Sequence, residues 1–221
     1  MARRRLAYSR AVRWDRFFED LEGQLDSEWE AERAALDTEA ERLRLSRVAL
    51  RERLVALVRD PREHAVHLAN GDAVSGRIAR VGADWFAVVA GGAPEGAMGG
   101  PHAGTSGGAA IVPLSAVAGV SAPPDAVLAS VRDAEPGPAL DQRMGLGFVL
   151  RDLVRRRIPV SLLLVGGRAL TGTVDRAGAD HLDLALHDPG SPRRAENVTG
   201  YRIVPFAALL SVRLASAADL G

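Results

Sequence analysis

The sequence predicts an α+β protein. A long N-terminal α-helix (or helical hairpin) precedes two duplicated units, each a helix plus five short strands closing into a small β-barrel. Three observations predict it. From Val12 to Arg59 there is no proline and one glycine, Gly23, among residues that are mostly strong helix formers. Sliding the chain along itself by 96 residues, Gly71 onto Gly167, brings two segments into register. Within both segments, glycine pairs and prolines punctuate alternating apolar runs, as hairpin turns and strand ends require. The boundaries read as a charged helical region over 1–44, a first unit over 45–121, a linker over 122–138, a second unit over 139–214 and a tail over 215–221.

In the N-terminal region Trp14, Phe18, Leu21 and Leu25 follow a helical stripe. Trp29, Leu36, Leu43, Leu50 and Leu57 then recur every seven residues. A continuous helix of this span would reach about 70 Å at 1.5 Å per residue, more than a small domain's diameter. It therefore projects, or it breaks near Gly23 or Thr38 into a hairpin. Trp14, Phe18, Leu21, Leu25, Trp29, Leu36 and Leu43 are the candidate partner face. They either form a partner-binding or dimerising coiled coil or pack on the chain's own barrels.

Each repeat then spells out its strands. Leu54, Leu57, Val58 and Arg59 align with Leu150, Leu153, Val154 and Arg155, which marks a helix ahead of each unit. Asn70-Gly71 and Gly166-Gly167 are two-residue hairpin signals, because both positions tolerate positive φ. Gly76 and Gly172 sit inside the second strand, where glycine costs stability and indicates a sharp bend or a close backbone approach. Gly82-Ala83-Asp84 and Gly178-Ala179-Asp180 are turns into a third strand, Trp85–Val89 and His181–Leu186. After a loop four residues shorter in the second copy, Ile111-Val112-Pro113 matches Ile203-Val204-Pro205. Proline cannot donate to a ladder, so it ends the fourth strand. A tight turn leads to a fifth, Val117–Val120 and Leu209–Val212.

A helix, a glycine-bent second strand, a turn carrying Asp and an alternating third strand together resemble the Sm/LSm small barrel. The ending I-V-P-x-x-A-x-x-x-V resembles that of SH3-like barrels. The resemblance covers about 54–120 and 150–214 and implies tandem barrels of a non-enzymatic, ring-forming, RNA-binding family. It places the base-stacking position on Trp85 and His181. The base-reading amide position falls on Ala87 and Asp183, and the family's Arg-Gly pair before the last strand is absent from both copies.

Composition excludes much chemistry. The 28 basic residues are all arginine, balanced by 28 acids, and there is no cysteine. Schiff-base lysines, P-loop lysines, thiol nucleophiles, thiolate metal sites and disulfides are therefore excluded. The five histidines show no metal-ligand spacing, and no nucleophile elbow or phosphate-cradling glycine motif is present. No cofactor is expected. The zero net charge averages separate blocks: five arginines and no acid in 1–14, then eleven acids and two arginines in 15–41. Residues 90–110 hold eight glycines and read as a flexible loop, and Ser121–Pro138 as a linker with room for a short helix over Asp125–Arg132. The N-terminus is basic without an apolar run, and no stretch of 18 apolar residues occurs, so a cytoplasmic protein without a membrane span is expected. The leading expectation is a non-catalytic interaction or regulatory protein whose N-terminal helix binds a protein partner or a second copy. The alternative is an RNA- or DNA-binding regulator using Trp85, His181, Arg155, Arg156, Arg157 and the basic arm Arg3, Arg4 and Arg5.

Overall fold

A computed structural model of the chain describes residues 29–30, 33, 35–91, 108–132 and 140–221. The chain divides into two units, Met1–Val48 and Ala49–Gly221. In the first, helix α1 runs over 35–47, and residues 29, 30 and 33 are also helical. Local pairs support it: Arg44 Nε donates to Glu41 at 2.7 Å, and Ser46 Oγ to the Leu43 carbonyl at 2.8 Å. The expected long helix is corrected here. Thr38 lies inside α1, and the break falls at Val48–Ala49. Ala49 is extended (φ −76°, ψ 154°), and Glu52 accepts its N–H at 3.1 Å, which starts a separate eight-residue helix, α2 (Leu50–Leu57). No coiled coil is found among the described residues, and Gly23 lies outside them.

In the second unit ten strands form one sheet. They are β1 (His64–Leu68), β2 (Ala73–Val81), β3 (Trp85–Val89), β4 (Ala109–Pro113), β5 (Val117–Ser121), β6 (Pro159–Leu164), β7 (Ala169–Ala177), β8 (His181–Leu186), β9 (Gly200–Pro205) and β10 (Leu209–Leu214). Helices α3 (Pro124–Arg132) and α4 (Leu146–Arg156) complete the unit. The sheet is open, in the order β5-β1-β2-β3-β4-β10-β6-β7-β8-β9, and every neighbouring pair is antiparallel.

This order overturns the two separate barrels. After β4, the sheet continues into β10 of the other half, with Ala109 opposite Leu214, Ala110 opposite Arg213 and Ile111 opposite Val212. The backbone groups that a barrel would use to close on itself are thus spent on joining the halves. Side-chain alternation shows why the junction holds. On β3 and β4, Trp85, Ala87, Ala109 and Ile111 face one core, with Leu150, Leu153, Leu162 and Val212. Phe86, Val88, Ala110 and Val112 face a second, with Leu54, Leu57, Val66 and Ile78. A strand pair buried on both faces is a wall shared by two cores, and it reads as a continuous apolar run.

The interior strand glycines do what close approach requires. A Cβ on Gly76 would lie 2.3 Å from the Val89 carbonyl oxygen, and one on Gly172 would lie 2.0 Å from that of Ala185. Just beyond each, the ladder slips, between Ile78 and Arg80 and between Val174 and Arg176. The predicted 90–110 loop falls mostly outside the described residues, but Ala109 and Ala110 open β4. The linker helix over Asp125–Arg132 is observed as α3.

Candidate functional site

Three features of the second unit could carry function: the junction between halves, a cleft between helices, and an exposed sheet edge. The junction is built from the β2–β3 turn upward. Asp84 Oδ1 accepts the N–H of Leu146 at 2.7 Å, so its carboxylate caps the start of α4, where helix amides are otherwise unsatisfied. The Trp85 indole N–H donates to the Met144 carbonyl at 2.9 Å, and the Ala83 N–H to the same oxygen at 3.0 Å. Arg51 of α2 ties the turn from below, donating to the carbonyls of Gly82 and Gln142, both at 2.7 Å. Trp85 is only 1% exposed. Its ring faces the core, so the base-stacking position that the resemblance implies is not accessible at Trp85.

The cleft lies where α2 meets α3 and encloses about 290 Å³, lined among others by Leu57, Arg59, Asp60, Arg62, Asp125 and Ser130. Arg62 bridges two carboxylates, its guanidinium 2.8 Å from Asp60 Oδ2 and 2.8 Å from Asp125 Oδ2. Hydrogen bonding to that guanidinium pulls the Asp60 carboxyl down to about 2. The Ser130 hydroxyl donates to the Val127 carbonyl at 2.7 Å and accepts from Arg53 Nε at 3.1 Å. It is held by structure and faces no base, so the nucleophile–base contact of covalent catalysis is missing. His64 is buried 4.0 Å from Asp60 Oδ2, and neither ring nitrogen has a hydrogen-bond partner. Among the described residues no group of three or more His, Asp or Glu side chains is placed to hold a metal ion.

The bridge gives the fold an acid-sensitive point. The carboxyl of Asp60 ionises at lower pH folded than unfolded, so its contribution is complete above the unfolded value near 4 and is lost as pH falls through about 2. Stability of the wild type should decline over that window, and Asp60→Asn should flatten the decline. Urea midpoints at pH 2 to 5 measure it; equal slopes in the two proteins would refute the bridge as its source.

The remaining sequence-derived candidates disperse. His181 is exposed and pairs through Nδ1 with Asp180 at 2.8 Å. At the end of α4, Arg155 and Arg156 both engage Asp152, and Arg156 also donates to the Asp219 carbonyl. Arg157 closes the helix in the left-handed region, φ 55°. Trp29, Leu36 and Leu43 are 68%, 64% and 50% exposed. Arg3, Arg4, Arg5, Trp14, Phe18, Leu21 and Leu25 lie outside the described residues. Sequence reasoning placed the strand that ends at Pro205 but not its exposure: on β9, Tyr201 and Ile203 are 65% and 70% exposed. The available signal was the match of Ile203 to Ile111.

The described surface thus presents exposed apolar side chains on α1 and on β9, and a cleft in which Asp60, Arg62, Asp125 and Ser130 are already paired. Comparison with protein-family models, curated proteins and solved structures finds no match. No helix among the described residues is long and apolar enough to cross a membrane.

Proposed function

We propose that the chain is a non-catalytic interaction protein that uses α1 to dock on a protein partner. One observation carries the proposal: Trp29, Leu36 and Leu43, spaced by seven residues, are all at least half exposed. An isolated helix of about 12–15 residues is marginal in water and gains its stability by burying an apolar face. Every described residue from 35 to 47 is exposed, so that face has no cover among the described residues of its own unit. The nucleic-acid alternative has less support, because Trp85 is enclosed and Arg155 and Arg156 share a carboxylate.

Site-specific photo-crosslinking in cells tests the docking. A photoreactive residue at Leu36 or Leu43 should give protein adducts, and one at Thr38, on the opposite face of α1, should not. Nucleic-acid adducts, or equal labelling from both faces, would overturn the proposal.

A further inference from the structure

The exposed seam Trp29, Leu36 and Leu43 carries one large apolar residue in seven, half the density of a coiled coil. It spans about 21 Å at 1.5 Å per residue, enough for one short helix pair. What flanks it is charge. With each helical residue advancing about 100°, Arg33 lies about 40° to one side of the seam, and Glu30, Asp37 and Arg44 about 100° to that same side. Glu39 lies about 60° and Arg42 about 100° to the other side. All six are exposed. Along the first flank the signs therefore alternate: Glu30 negative, Arg33 positive, Asp37 negative, Arg44 positive.

Such a flank is complementary to its own reverse. Two helices packed seam to seam bring like flanks together when antiparallel and opposite flanks together when parallel. In the antiparallel arrangement centred on Leu36, Leu36 meets its own counterpart and Trp29 meets Leu43. Glu30 then falls beside Arg44, and Arg33 beside Asp37, each contact occurring twice by symmetry. The parallel arrangement sets Asp37 beside Glu39 and Arg44 beside Arg42, like charge on like. Charges beside an apolar seam choose orientation in this way, because like-charge juxtaposition is costly. Within α1, Arg42 lies 4.0 Å from Glu39 and Arg44 2.7 Å from Glu41. These are exposed pairs, which contribute little and can exchange partners.

Taking α1 as the docking element proposed above, we infer that its partner is a second copy of this chain, held antiparallel about a two-fold axis at Leu36. The sequence supplies both halves of the match, which a different protein would have to reproduce. The contact is isologous, so it closes at two chains. Pairing also covers the apolar face that leaves a helix of this length marginal when alone.

Full-length protein tests it, helped by the absence of cysteine. Light scattering of the wild type at micromolar concentration should give about twice 23.4 kDa. Arg33→Glu and Asp37→Arg are then made as separate chains. Each alone sets like charges across the pair and should shift toward one chain; mixed, they restore opposite charges at both contacts and should recover the mass of two. Disulfide formation reads the orientation. Trp29→Cys mixed with Leu43→Cys should give mainly the mixed dimer, whereas a parallel pair would join Leu43→Cys to itself. A single-chain mass for the wild type, no recovery on mixing, or a dominant Leu43→Cys homodimer would overturn the inference. Docking through α1 would survive that result if photo-crosslinking at Leu36 still gave adducts with other proteins; loss of every protein adduct would overturn both.

Discussion

Replacing Trp85 by alanine should lower the unfolding free energy by about 3–5 kcal/mol, the usual cost of removing a buried large aromatic. The ring is enclosed between the β2–β3 turn and the start of α4, with its N–H spent on the Met144 carbonyl. Truncation empties that space and removes the hydrogen bond together. A Cβ on Gly82 would come within 2.1 Å of the indole nitrogen, so the backbone already closes tightly on the ring. Trp85→Phe keeps most of the apolar contact and loses the N–H, and should cost less, about 1–2 kcal/mol. Urea denaturation followed by circular dichroism reads both. A loss below about 1 kcal/mol for Trp85→Ala would mean that the ring is not packed as described.

Ile111→Ala should cost about 2–5 kcal/mol, since Ile111 is fully buried where the two halves meet. Its neighbours come from both halves: Ala87 on β3 of the first, and Val212 on β10 of the second. The loss should therefore appear as one cooperative transition moved to lower urea. A stable intermediate in which one half unfolds first would show that the junction is weaker than its burial implies. Ile111→Val, which removes one methylene, should cost about 0.5–1.5 kcal/mol.

The local elements were legible because their causes are local. Asn70-Gly71 and Gly166-Gly167 form their hairpins with positive φ at Gly71, Gly166 and Gly167. Pro113 and Pro205 close β4 and β9, and the third strands run over the residues expected, Trp85–Val89 and His181–Leu186. The separate barrels and the long N-terminal helix were misread because both depend on what happens at an end. Strand β4 has the composition of a strand in either a closed barrel or a continuing sheet. Around Val48–Ala49 no glycine or proline warns of the helix break; a single carboxylate, from Glu52, takes the Ala49 N–H.

The candidate surfaces divide in the same way. Trp85 and His181 share a position in the repeat and were expected to share a role, yet one is enclosed and the other exposed, because α4 covers only the first. The Arg62 bridge joins Asp60 to Asp125, 63 residues away from Arg62, and no spacing in the sequence relates them.

The sequence by itself determined the hairpin turns, the extent of the third strands, the proline ends of β4 and β9 and where glycine admits a neighbouring backbone, since φ preference, the missing proline N–H and side-chain alternation act within a few residues. Only the tertiary structure decided that β4 joins β10, and with that which of two equivalent isoleucines is buried. The physical reason is that sheet edges pair through backbone N–H and C=O groups, which nearly every residue carries alike. The choice of partner rests on the packing of side chains from distant parts of the chain.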